Sequence, residues 1–224
     1  MKFSKIKFIT FYRLLFSVVA WAGIIIMLIN NVSGKSGHEL TMAIENYFSY
    51  FTTESNIMVA LILTLSVLYR NAEKPVFLKP QIKGAVTLYI TITGIIYHVL
   101  LRNVQPPHGI GVYSNLILHY IMPIAFVVDW IIADVRGIYK WKYAMIWLCY
   151  PIIYLIFTLI RGSFTLFYPY PFVNVTKLGY GGVAENALVL TVLFSMLGLI
   201  YVIIDKISLR LLNSKNNDSE IAIE

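Results

Sequence analysis

Residues 187–204 read ALVLTVLFSMLGLIYVII, 18 positions from Ala187 to Ile204 without a charged side chain. A bilayer core about 30 Å thick is crossed by roughly 20 apolar residues in an α-helix, so this run is a membrane span. Five segments of the same kind precede it, at about 9–30, 50–69, 84–101, 114–133 and 143–161, and the sixth itself covers about 187–205. None alternates polar and apolar residues in the ten-residue rhythm of a barrel strand, which leaves helices. Composition agrees. Of 224 residues 58% are hydrophobic and 13% charged, about half the charged share of a soluble domain. That balance excludes a soluble globular enzyme and a disordered chain alike. The net charge of +7 is scattered between apolar runs, so nucleic acid is not an expected partner. A single Cys excludes a disulfide scaffold and a Cys-based zinc site. The expected fold is all-α: one six-helix transmembrane bundle over residues 1–212, then a polar, disordered tail over 213–224.

The cations set the expected orientation. The basic flank Lys2, Lys5 and Lys7 resembles a signal peptide, but its apolar run is too long and no small-x-small cleavage site follows before Asn30. It is read as an uncleaved first span. Thirteen of the 18 Lys and Arg then fall on the side of the N-terminus, Arg13 falls within a span, and only Lys35, Arg102, Arg161 and Lys177 fall opposite. The positive-inside rule places both termini in the cytoplasm of a multi-pass plasma-membrane protein. Residues 39–48 read as an amphipathic extension of the second span at the outer interface. The outer segment Phe167-Tyr-Pro-Tyr-Pro-Phe-Val173, with Gly179-Tyr-Gly-Gly182 after it, reads as a cap on the outer rim.

Polar groups inside a bilayer are costly, so each is a candidate for function. Arg13 and Asp129 share a depth near the cytoplasmic end of spans 1 and 4, which predicts a buried ion pair clamping the two helices. The outer third is richer. Phe51-Thr-Thr-Glu-Ser-Asn56 opens span 2, His98 and Arg102 close span 3, Asn115 and His119 share a face of span 4, and Arg161 ends span 5. Pro123 has no N–H for the His119 carbonyl, which predicts a local break in the helix. These groups are expected to surround one outer polar pocket. No metal-ligand signature is present, and no cofactor is expected.

Phe51-Thr-Thr-Glu-Ser-Asn-Ile57, Leu118-His-Tyr-Ile-Met-Pro123 and Tyr168-Pro-Tyr-Pro-Phe172 occur in that order. Together they resemble the bacterial Pr6Pr family of six-span membrane proteins, over about residues 10–205. That family is in turn similar to the animal androgen-induced membrane proteins, hydrolases that cleave fatty-acid esters of hydroxy fatty acids with an intramembrane threonine and histidine. The resemblance matches the threonine to Thr52 and the histidine to His119, which precedes Pro123 by four residues where the animal pattern has five.

It implies an intramembrane hydrolase of a lipid or other hydrophobic ester, opening to the outer leaflet. Thr52 is the expected nucleophile and His119 the base, within about 2.6–3.2 Å of each other. Asn56 and Asn115 would donate to an oxyanion or orient the reacting groups, and Glu54 or Asn115 would hold the second imidazole nitrogen. His98, Arg102 and Arg161 would contact substrate, the arginines holding a lipid carboxylate or phosphate at the pocket mouth. The partners are then membrane lipids and a hydrophobic ester. The alternatives are a non-catalytic carrier or lipid-binding protein using the same pocket, and a structural membrane component.

Overall fold

A computed structural model describes residues 2–104 and 106–221. Among these there are helices and turns but no strand. The helices are α1 (Lys2–Val32), α2 (Gly37–Phe48), α3 (Phe51–Leu68), α4 (Pro80–Leu101), α5 (Gly111–Ala133), α6 (Lys142–Thr165) and α7 (Val175–Ile221). All but α2 are long and apolar enough to cross a membrane. Six crossings bring residues 70–79 and 134–141 to the end of the bundle where the chain starts, here the basic end. Residues 37–50, 102–104, 106–110 and 166–174 lie at the other, the Thr52 end.

Local chemistry explains where the helices begin and break. Pro80 opens α4 at a position where its missing N–H has no partner to lose. In α6, Pro151 has no N–H for the carbonyl of Trp147, and the helix is interrupted at Trp147–Leu148. The Tyr89 hydroxyl donates to that freed carbonyl at 2.8 Å. In α5, Pro123 follows a π turn at Ile117–Ile121, and α4 carries a second π turn at Tyr97–Leu101. The freed His119 carbonyl faces Gly94 on α4, where an added Cβ would lie 3.2 Å from it. Glycine at position 94 thus lets α4 and α5 approach this closely without displacing that carbonyl.

The centre is built by α3, α4 and α5, with α1 packed along α3 and α5. Val59, Ile62, Leu63, Leu88, Ile90, Met122 and Phe126 form the dry interior. Helix α7 packs on α4, and the lower part of α6 packs on α7. The upper part of α6 stands off from α3 and α4, and a cavity opens between them.

Three expectations are corrected. Residues 39–48 do not extend the second span: α2 is a separate helix, and extended backbone at Tyr50 turns the chain before α3. Helix α7 starts at Val175, well before residue 187, so the preceding loop is short; only Gly179, at φ 66°, departs from helical geometry within it. Helix α7 also runs on through Ile221, where a disordered tail was expected from residue 213; residues 222–224 lie outside the described part.

Candidate functional site

The first amides of a helix have no partner within it, and those of α3 are met by two tyrosines from elsewhere in the chain. Phe51 N–H donates to the Tyr154 hydroxyl and Thr52 N–H to the Tyr170 hydroxyl, each at 3.1 Å. Tyr154 passes its own proton to the Ser49 carbonyl at 2.9 Å, stitching α6 across the α2–α3 break. Tyr170 is placed by its neighbours. Pro171 holds it extended, at φ −130° and ψ 146°, and its ring stacks on Phe172. The segment 167–173 therefore does more than cap the rim: it drives Tyr170 inward until only 8% of it is exposed.

Tyr170 also lies 3.2 Å from the Thr52 hydroxyl. Burial raises the Tyr170 pKa well above the ordinary phenol value, so the group stays protonated. It accepts from the Thr52 amide and shares a hydrogen bond with Thr52 Oγ1; whichever hydroxyl donates, the other's proton has no partner among the described residues. Both residues border the cavity between α3, α4, α6 and α7, a space of about 100 Å³. Its walls are Ile92, Ile96, Leu155, Leu190, Phe194 and similar residues, with Thr52, Thr93, Tyr154, Tyr170 and Thr191 among them. Among the described residues no charged side chain lines it.

His119 is elsewhere. It lines a groove of about 590 Å³ between α4 and α5, on the other face of α4 from the cavity. Its ring stacks on Tyr97 at 3.9 Å between centroids, and Nδ1–H donates to the Asn115 carbonyl at 3.1 Å. With its proton on Nδ1, the ring keeps Nε2 as an acceptor. Among the described residues no hydrogen bond joins His119 to Thr52, whose hydroxyl meets Tyr170 instead. The expected nucleophile–base contact is thus not made. The π turn at 117–121 re-aims the side chains of this stretch, and it aims His119 at α4.

The other expected residues also divide. Asn56 is fully buried between α3 and α5, where its Nδ2 donates to the carbonyls of Thr52 and Leu118 at 2.9 and 3.1 Å. Its Oδ1 has no partner among the described residues. Asn115 donates to the Tyr97 hydroxyl at 2.7 Å. Neither asparagine lines the cavity. Glu54 accepts a hydrogen bond from Tyr150 and does not touch His119. Arg161 binds Asn46 at 2.7 Å and lies over Phe167, joining α6 to α2. His98 and Arg102 belong with the groove, not the cavity. One shared outer pocket is therefore replaced by two separate sites.

At the basic end Arg13 meets Asp129 through two hydrogen bonds, at 2.8 and 3.2 Å. The pair is part of a larger cluster. Lys83, 4% exposed on α4, reaches Asp129 and Asp134 at 2.5 Å each, so two cations balance two carboxylates. Sequence spacing assigned Lys83 to a loop because the third span was begun one residue after it. A further buried acid, Asp205 on α7, accepts the amides of Gly137 and Tyr139 at 2.9 Å each and fastens the loop after α5.

No family model, curated protein or solved structure matches this chain.

Proposed function

We propose that this protein binds an uncharged hydrophobic ligand carrying an acceptor group, such as a lipid ester, within the bilayer. One observation carries the reading: an apolar cavity without a charged wall, bordered by the Thr52–Tyr170 hydroxyl pair, of whose two protons only one is used between them. Burying an ionised group there would cost several kcal/mol without a partner, whereas an ester carbonyl needs only the one donor. The positive-inside distribution supports a plasma-membrane setting with both termini cytoplasmic and the cavity in the outer half. The three motifs shared with the Pr6Pr family support a kinship with it.

Ester hydrolysis is the second reading, favoured by the same hydroxyl and by the resemblance of Thr52 to an intramembrane threonine nucleophile. It requires a base at Thr52. Tyr170, held protonated, cannot serve as one, and His119 would have to leave the Asn115 carbonyl and Tyr97.

The test is purification in mild detergent, with bound lipid identified by mass spectrometry and the protein exposed to a fluorophosphonate. Binding predicts a co-purifying neutral ester or related lipid, lost in Ala187→Trp, which fills the cavity, and no covalent labelling. Labelling abolished by Thr52→Ala would select the hydrolase. An empty cavity whose occupancy no neutral lipid raises would reject both.

A further inference from the structure

The groove between α4 and α5 has a chemistry opposite to that of the cavity. Its floor is Ile95, Val99, Ile124, Val127 and Val128, and it extends about 12 Å along α5 from Tyr120 to Val128. Val99 and Ile124 are 67% and 65% exposed, so the groove faces the surroundings of the bundle. At its Thr52 end the side chains become cationic. Arg102 Nη1 lies 3.3 Å from His98 Nε2, and His98 Nδ1 lies 3.2 Å from the Tyr120 hydroxyl. A guanidinium can only donate, so His98 Nε2 accepts and Nδ1 carries the proton to Tyr120. The chain Arg102–His98–Tyr120 thereby fixes the arginine beside His98, at the end of the groove, while occupying one of its five N–H groups. Among the described residues no carboxylate pairs with Arg102. The arginine itself is exposed.

We propose that this groove holds an anionic phospholipid of the surrounding bilayer, with the phosphate on Arg102 and one acyl chain along Val99, Ile124 and Val128. The reason is charge complementarity. A guanidinium presents two parallel N–H groups to a phosphate, and His98 has already ordered the one here. The apolar floor below it runs in the direction of a lipid chain. A neutral ligand would use the floor but leave the cation unmatched. The site is distinct from the cavity and does not depend on what the cavity binds.

Native mass spectrometry tests this on the full chain, offered phosphatidylglycerol, phosphatidylcholine or oleate at equal concentration. At least tenfold preferential retention of phosphatidylglycerol over phosphatidylcholine is expected. Arg102→Gln should abolish that preference, and Arg70→Gln, at the basic end, should leave it intact. Val99→Trp, a change at an exposed position, should reduce retention at least tenfold by blocking the chain. The proposal is overturned if Arg102→Gln keeps the preference, if Arg70→Gln loses it equally, or if Val99→Trp retains lipid as the native chain does. Displacement of phosphatidylglycerol by oleate would also overturn it, in favour of a fatty-acid site.

Discussion

Tyr170 meets both the amide and the hydroxyl of Thr52 at the start of α3. Replacing Tyr170 by Phe removes the acceptor of the Thr52 amide and the hydrogen-bond partner of its hydroxyl. An orphaned buried amide costs about 1–3 kcal/mol, so Tyr170→Phe should lower the unfolding temperature measurably. Thr52→Val keeps the amide–phenol bond and should cost less; equal effects would mean that the amide bond contributes nothing. Lys83 is shared by Asp129 and Asp134. Removing one member of a buried ionic set leaves uncompensated charge at about 3–5 kcal/mol. Lys83→Met should therefore destabilise about as much as Arg13→Met, read from thermal unfolding in detergent. A neutral Lys83→Met would reduce the cluster to the simple Arg13–Asp129 pair. That pair was legible from depth alone, because opposite charges in one leaflet seek each other. Lys83 was not, since a lysine at a span boundary looks like a loop cation until the helix start is known.

At the scale of elements, prolines accompany two of the departures from uniform helix. Pro151 breaks α6 and Tyr89 takes the freed carbonyl; Pro123 follows a π turn that points His119 at Tyr97 rather than at Thr52. The four-residue spacing from His119 to Pro123 was visible in the sequence, but a π turn inserted before the proline was not. Residue facing on a helix changes by about 100° per residue, so a helix-wheel argument fails across such a turn. The pattern Tyr-Pro-Tyr-Pro did contain a usable signal. A residue before proline is held extended, which projects Tyr170 away from the local chain and toward α3. The loop after α5 gives a further test. Its Gly137 and Tyr139 amides bond the Asp205 carboxylate, and such charge-assisted bonds contribute about 1.5–3 kcal/mol each. Asp205→Ala should accelerate hydrogen exchange at these two amides while leaving the α3 interior protected. Unchanged exchange would mean that the loop holds itself.

For the whole molecule, six apolar runs were enough to give an all-α bundle, because a chain in lipid has to satisfy its backbone internally. Which helix stands apart was not readable. The upper part of α6 separates from α3 and α4, and that gap makes the cavity; apolar runs carry no mark of which neighbours they touch. Orientation has its own test. Single cysteines at Lys35 and at Lys74, in a Cys149→Ser background, should react oppositely with a membrane-impermeant maleimide on intact cells. Lys35→Cys should label and Lys74→Cys should not; the reverse would invert the bundle. The cavity itself is tested most directly by photo-crosslinking with a neutral long-chain ester bearing a diazirine on its acyl chain, followed by peptide mapping. Adducts are expected on the cavity walls, at residues such as Ile92, Ile96, Leu190 and Phe194, and should be lost in Ala187→Trp. Adducts confined to the outward faces of α1 and α7, unchanged by Ala187→Trp, would show that the cavity takes no such ligand.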